Sequence, residues 1–248
     1  MINYKSTFRV IQSEKNSAKE NMSTDDALLS SYEEKNHAIL RLYTWEKSFT
    51  IGVSQDFSNY VICDDYNGNY AKRITGGGVL FHGHDLSYSL VIPTSYLEGL
   101  NIKESYECIC TFILNFYRKL GLDAKYAKDN EKIELSKNEY CQVGFEAYDI
   151  LVNGKKIGGN AQRRTKKAIF QHGSIPIKSL DDSKKVNEKI GFTLEDLNLK
   201  IDFEEAKVKL IESFEESFNV ELEYSTLTQK EIEKKNKLLK DKYDYSRN

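Results

Sequence analysis

Apolar positions along the chain alternate between a helical period and a strand period, without a regular strand–helix–strand rhythm. Ala27, Leu28 and Leu29 begin an apolar stripe that predicts a helix over 23–33, with Ser23 or Thr24 as its cap and Asp25 and Asp26 in its first turn. Ala38, Leu40, Leu42 and Tyr43, then Phe49, Ile51 and Val53, recur at the strand period and predict strands over 38–53. Asn67-Gly68 is a turn signal. The clearest helix is 104–120, where Ile109, Phe112, Ile113, Phe116, Tyr117 and Leu120 share one face and Gly121 ends it. Tyr148 to Val152, Asn153-Gly154 and Lys155 to Ile157 read as a hairpin with a tight turn. A further strand spans 168–175, and a second amphipathic helix runs over 204–218 through Leu210, Ile211, Phe214 and Phe218. From Thr228 onward the chain is polar and rich in Lys and Glu, the pattern of a solvated helix with a frayed end. Strands and helices mixed in this way favour an α+β fold over a doubly wound one. The expected organisation is a single domain over 1–248 carrying a polar helical tail at about 228–248.

Composition narrows the function classes. The 248 residues carry 40% hydrophobic and 30% charged side chains, ordinary for a globular protein. With 36 basic against 38 acidic side chains the net charge is -2, which gives no support for a nucleic-acid binder. No run approaches the ~20 apolar residues of a membrane span. The first residues, MINYKSTFRVIQSEKNS, contain no apolar signal-peptide core, so the expected location is the cytoplasm, with no membrane partner. Cys63, Cys108, Cys110 and Cys141 match no zinc spacing, and no metal site is expected. Cys108 falls beside the apolar stripe of its helix and Cys110 off it, and both read as structural.

Four segments carry candidate chemistry. Arg73-Ile74-Thr75-Gly76-Gly77-Gly78 places three consecutive glycines between strand-like residues. Such a run suits positive φ or close approach, and its exposed N–H groups can grip an anion or a carbonyl oxygen. Arg73 could hold a phosphate or carboxylate; a plain hairpin turn without a ligand fits as well. His82 and His84, one residue apart, would share a strand face, yet no third ligand is evident, and hydrogen bonding is the expected role. Lys156 precedes Gly158-Gly159-Asn160-Ala161 on the return strand of the hairpin, where an ammonium can reach a carbonyl or phosphate. Gln171-His172-Gly173-Ser174 interrupts an apolar strand, and a glycine there marks close approach of a ligand or another backbone. Cys141 lies in a polar, irregular stretch and is the cysteine best placed to act as an acyl-accepting nucleophile.

These segments resemble those of the lipoate and biotin protein ligase family. Arg73 to His82 is similar to its RR-x-[ST]-GGG-x-x-[FW]-H motif, Gly154 to Arg163 to its GKKI-x-G-[SN]-A-Q-x-R motif, and Gln171 to Ser174 to its QHGS. Asn21 to Leu29 resembles the NMA-x-DEALL helix. The resemblance covers about residues 20 to 235 and implies a mixed, largely antiparallel sheet flanked by helices around an acyl-binding tunnel. It implies that Arg73, Gly76, Gly77, Gly78, His82, Gly159, Asn160, Ala161, His172 and Gly173 bind substrate, with the glycine run and Lys156 enclosing the acyl carbonyl.

Three activities share this scaffold: ATP- and Mg-dependent lipoate ligases, octanoyltransferases fed by an acyl carrier protein thioester without ATP, and amidotransferases between lipoyl domains. In the cysteine-dependent transferases the nucleophile stands seven residues before an aromatic that opens the hairpin strand. Cys141 precedes Tyr148 by that spacing, so the resemblance assigns the nucleophile to Cys141 and the carbonyl-orienting role to Lys156. The expected reaction is octanoyl transfer from acyl carrier protein to a lysine of a lipoyl carrier domain, such as the glycine cleavage H protein or a 2-oxoacid dehydrogenase subunit. The chain departs from the transferase pattern at Gln142, where that pattern has Phe, at Glu146 near the place of its proline, and at Gly78, which makes the glycine run closer to the ligases. No separate accessory domain of the kind many ligases carry is expected from these residues.

Overall fold

A computed structural model describes residues 6–33, 35–59, 66–130, 147–180 and 191–245. In chain order the elements are β1 (Thr7–Asn16), α1 (Ala18–Ser31), β2 (Ala38–Trp45), β3 (Ser48–Ile51), β4 (Tyr70–Lys72), β5 (Leu80–His82), β6 (Asp85–Pro93) and α2 (Ile102–Lys119). They continue with β7 (Ala124–Tyr126), β8 (Ile150–Val152), β9 (Lys155–Lys156), β10 (Gly159–Arg164), β11 (Ala168–Pro176), α3 (Phe203–Phe218), β12 (Glu221–Tyr224) and α4 (Gln229–Asp241). The main sheet has the order β10-β11-β6-β2-β1-β12. Its β10–β11–β6–β2 half is antiparallel, and β1 pairs in parallel with both β2 and β12. Two three-stranded sheets, β4-β3-β5 and β7-β8-β9, flank it. The α+β class and the mixed, largely antiparallel sheet expected from the sequence are what the chain adopts.

Strand alternation divides the core into two layers. Phe8, Leu40, Leu42, Tyr88 and Leu90 face α2 and α3, where they meet Phe112, Phe116 and Phe214. Ile11, Ile39, Val91 and Phe170 face the opposite way and meet Leu28 and Leu29 of α1. Every residue of β6 and β11 is buried, because helices cover both faces of these central strands. No helix among the described residues is long and apolar enough to cross a membrane.

Three sequence expectations need correction. The first helix starts at Ala18, not Ser23, because Ser17 and Glu20 form a reciprocal capping box. Asp25 therefore sits in mid-helix and is fully buried. On α2, Cys110 is fully buried and Cys108 only partly, the reverse of the order read from the stripe. The helix is covered both by the sheet and by α3, which widens its buried arc. Third, the tail is docked. Glu231 of α4 accepts two hydrogen bonds from Arg9 of β1, at 2.9 and 3.2 Å. Tyr243 is completely buried against Ala18, Met22, Tyr43, Trp45 and Ala71.

The docking has a measurable consequence. Tyr243→Ala removes a buried aromatic ring and should lower the unfolding free energy by about 3 to 5 kcal/mol. Urea denaturation of the full chain measures it, and an unchanged midpoint would restore the picture of a solvated tail.

Candidate functional site

The residues that the sequence singled out converge on one cavity of about 250 Å³. Arg73, Gly76, Gly77, Gly78 and His82 line it from the β4–β5 segment. Lys156 from β9, Gly159, Asn160 and Ala161 from β10, and His172 and Gly173 from β11 complete that set. The structure thus brings together every candidate except Cys141, which lies outside the described residues. Apolar walls come from Met22, Tyr43, Trp45 and Leu80, and Tyr106 and Asp149 also line the cavity.

The glycine run is held by its own arginine. Arg73 is buried, and its guanidinium donates to the carbonyls of Gly78 at 2.7 Å and Gly76 at 3.3 Å, and to Thr50 Oγ1 at 2.9 Å. Gly77 adopts φ +103°, in the region that favours glycine. Gly52 supplies the room for this fold-back, since a Cβ there would lie 2.1 Å from the Gly77 carbonyl oxygen. Arg73 therefore shapes the loop through the donors that the sequence suggested for a phosphate or carboxylate.

Two histidines tie the loop and the cavity floor to buried carboxylates. His172 places Nε2 2.7 Å from Thr75 Oγ1 and Nδ1 3.6 Å from Asp25 Oδ2. Burial holds the His172 pKa below its ordinary value despite the Asp25 carboxylate. Asp25 is in turn bound by Arg41 at 2.7 Å, Ser89 at 2.8 Å and Tyr43 at 2.9 Å. Burial opposes ionisation of Asp25, but Arg41, His172 and the Ser89 hydrogen bond outweigh it and hold the carboxyl below its usual pKa.

His82 donates from Nδ1 to Asp85 Oδ2 at 3.0 Å, places Nε2 2.9 Å from Thr50 Oγ1, and stacks on Trp45 with ring centroids 3.8 Å apart. Asp85 also accepts from Ser174 at 2.8 Å and Ser87 at 3.1 Å. His82 and His84 do not share a strand face: β5 ends at His82, and Gly83 at φ +112° turns the chain into β6. Both imidazoles flank the Asp85 carboxylate instead, with His84 Nδ1 at 4.0 Å.

Lys156 is presented by the expected hairpin, whose Asn153 and Gly154 both have positive φ, +49° and +76°. The Lys156 ammonium, nearly buried, lies 2.6 Å from the Asp149 carboxylate. Away from the cavity lining, on α2, burial pushes the Cys110 thiol up to about 12, which disfavours its thiolate form.

Sequence reasoning missed Asp25, Arg41, Asp85, Asp149, Trp45, Tyr88 and Gly52. A signal existed for Arg41, a charge in the middle of the apolar strand Leu40-Arg41-Leu42. Asp25 stood in view but was assigned to a helix start. Nothing in the local sequence distinguishes Gly52 or Tyr88, because their roles come from residues distant in the chain.

Comparison with known proteins follows the same outline. The family described as "Lipoyl protein ligase A/B catalytic domain" matches residues 17–215. The chain is 31% identical to the octanoyltransferase LipM of Bacillus subtilis (strain 168), over 96% of both chains. It is 32% identical to the octanoyltransferase LipM of Anoxybacillus flavithermus (strain DSM 21510 / WK1), over 97% of this chain and 96% of that one. Among solved structures, a lipoate-protein ligase A bound with ATP superposes with a TM-score of 0.79 at 25% identity, covering 96% of each chain. A bi-partite lipoate protein ligase from Thermoplasma acidophilum has the same fold, with a TM-score of 0.76 at 22% identity, covering 98% of this chain and 95% of that one.

The Asp85 cluster makes acid stability a test of the site. Burial would raise its pKa, but the His82 imidazole and the hydrogen bonds from His82 and Ser174 hold it down at about 2. A carboxylate held low in the folded state stabilises the fold above its unfolded pKa of about 4 and loses that contribution as pH falls toward 2. Unfolding free energy measured from pH 5 to pH 2 should fall by roughly 2 kcal/mol more in the wild type than in Asp85→Asn. Parallel curves for the two proteins would remove Asp85 from the acid response.

Proposed function

The chain belongs to the lipoyl protein ligase A/B catalytic-domain family, and from that premise we propose that it is an octanoyltransferase. In this reading it moves an octanoyl group from acyl carrier protein to a lysine of a lipoyl carrier domain, with residues 1–248 acting as one catalytic domain. One observation carries the reading: a chain alike over almost its whole length to proteins named octanoyltransferase sets a lysine ammonium and a glycine loop around a single cavity. Enzymes gain most from donors fixed in advance where charge develops, and the Arg73 clamp and the Lys156–Asp149 pair fix two such elements.

The proposed reaction has two acyl transfers. The Cys141 thiolate attacks the thioester carbonyl, the carbonyl oxygen becomes an oxyanion, and the carrier thiolate leaves as the acyl-enzyme thioester forms. The neutral amine of the carrier lysine then attacks that thioester, expels the Cys141 thiolate and loses a proton to give the amide. Lys156 and the backbone near Gly77 and Gly78 face the oxyanion in both steps, while Met22, Tyr43, Trp45 and Leu80 receive the acyl chain. The Cys141 role rests on its spacing to Tyr148.

The likeness to the ATP-bound ligase A supports a second reading, activation of free lipoate by ATP and Mg. Intact-protein mass spectrometry separates the two. Mixed with octanoyl acyl carrier protein and no ATP, the wild type should gain a hydroxylamine-labile octanoyl adduct that Cys141→Ala does not form. Lys156→Ala should form it at least 10²-fold more slowly, the cost of removing one oxyanion donor. Carrier modification only when ATP and free lipoate are added would establish the ligase and retire Cys141.

A further inference from the structure

A chain of hydrogen bonds runs beneath the cavity on the α2 side of the sheet, and its direction can be read from chemistry. It begins at Arg164, whose Nε donates to Gln162 Oε1 at 3.0 Å. A guanidinium has no acceptor, so this bond fixes the Gln162 amide with its oxygen toward Arg164 and its nitrogen away. Gln162 Nε2 accordingly donates to Gln171 Oε1 at 3.1 Å. That in turn points Gln171 Nε2 toward Tyr88 Oη at 2.9 Å and Cys110 Sγ at 3.3 Å. The Tyr88 oxygen, having accepted, directs its own proton to Asn160 Oδ1 at 2.8 Å. The last amide is then fixed as well. Its oxygen is used by Tyr88, and its two Nδ2 protons have no acceptor among the described residues, although Asn160 lines the cavity.

Register and packing support the geometry. Asn160, Gly173 and Tyr88 stand in one row across β10, β11 and β6. Tyr88 reaches Asn160 over Gly173, where a Cβ would lie 2.1 Å from Asn160 Oδ1 and 2.6 Å from Tyr88 Cε1. The glycine in the polar break of β11 is thus the gap through which this bond passes. Tyr88 and Gln171 are fully buried, so water does not compete for their bonds. Burial also keeps the Tyr88 phenol protonated, with its pKa well above the ordinary value.

We propose that Asn160 donates an Nδ2 hydrogen bond to the acyl carbonyl oxygen in the cavity, and that Tyr88, Gln171 and Gln162 are positioning residues that hold its amide in that sense from the fixed donor Arg164. The inference rests on the acyl-transfer reading and adds to it a second donor in the same cavity as Lys156, its orientation set from Arg164 at the end of β10. Held this way, the amide does not have to turn as the oxyanion forms. Asn160→Asp would keep the shape and still accept from Tyr88 but would offer no proton.

Single-turnover octanoyl transfer from octanoyl acyl carrier protein to a lipoyl domain, paired with thermal unfolding, tests the relay. Asn160→Ala should slow transfer roughly 10²-fold, the scale of one oxyanion donor. Asn160→Asp should fall as far, and decides the matter if the alanine variant fails to fold. Tyr88→Phe should slow transfer roughly tenfold, the worth of about one neutral hydrogen bond. In the Asn160→Ala background Tyr88→Phe should cost nothing further, because the phenol acts through the amide. Asn160→Asp at the wild-type rate, or an equal loss from Tyr88→Phe in both backgrounds, overturns the relay while leaving the octanoyltransferase reading standing. A folded wild type that transfers nothing without ATP overturns that reading and the relay's function with it.

Discussion

The buried pair of Asp25 and Arg41 is the constraint around which the rest is arranged. Each side chain is about 1% exposed, and their charged atoms lie 2.7 Å apart between α1 and β2. A lone ion at this depth is prohibitive, so each demands the other and a full set of hydrogen bonds. Arg41 meets the demand with Asn21 Oδ1 at 2.7 Å, the Asn21 carbonyl at 3.3 Å and Ser13 Oγ at 3.0 Å. Asp25 meets it with Tyr43 and Ser89. Together these bonds fix the rotation and height of α1 over the sheet. Met22, one turn before Asp25, is thereby placed in the cavity wall. His172 and Thr75 extend the same network to the glycine loop.

One strand serves two networks because side chains alternate across it. In β11, His172 and Ser174 point toward α1 and join the charged clusters of Asp25 and Asp85. Gln171 and Gly173 belong to the α2 side, where Gln171 carries the neutral relay and Gly173 gives it passage. Four polar or small residues in a fully buried strand are costly unless each finds a partner. Here every one of them does, which explains why an apolar strand is interrupted at that point and nowhere else along its length. The cavity sits near the sheet edge at β10, where both systems reach it.

Much of this was legible in the sequence, and the illegible part has a common cause. Strands β2, β3 and β11, the α2 and α3 helices and the hairpin under Lys156 follow from local periodicity and turn chemistry, so they could be read directly, whereas β1, β7 and β12 were not read. The gathering of Arg73, Lys156, Asn160 and His172 around one cavity could be anticipated through family resemblance, since spacing alone does not say that β5, β9, β10 and β11 converge. Asp25 was misplaced because local capping logic favoured Ser23, whereas Ser17 and Glu20 cap the helix a turn and a half earlier. The docked α4 was read as a wet surface because its composition is polar. Its hold on the fold comes from Arg9 and from the cluster around Tyr243, both supplied by residues more than 170 positions away. Composition reports the average environment of a segment and is silent on a single buried anchor.

Arg73 and Lys156, both in the cavity lining, divide their work. Arg73 has its guanidinium turned to the carbonyls of its own loop and to Thr50, so it sets the shape of the surface that a ligand meets. Lys156 carries a carboxylate partner, and its charge reaches the cavity already balanced by Asp149. An ammonium–carboxylate pair of this kind attracts a full anion less than a bare lysine does, yet it still offers protons to a polarised oxygen. A thioester carbonyl is neutral on arrival and negative only while the bond rearranges. For such an oxygen, a balanced ion pair and an amide oriented in advance are suited to the change in charge more than to the resting ligand, which is the condition for raising a rate rather than merely tightening binding.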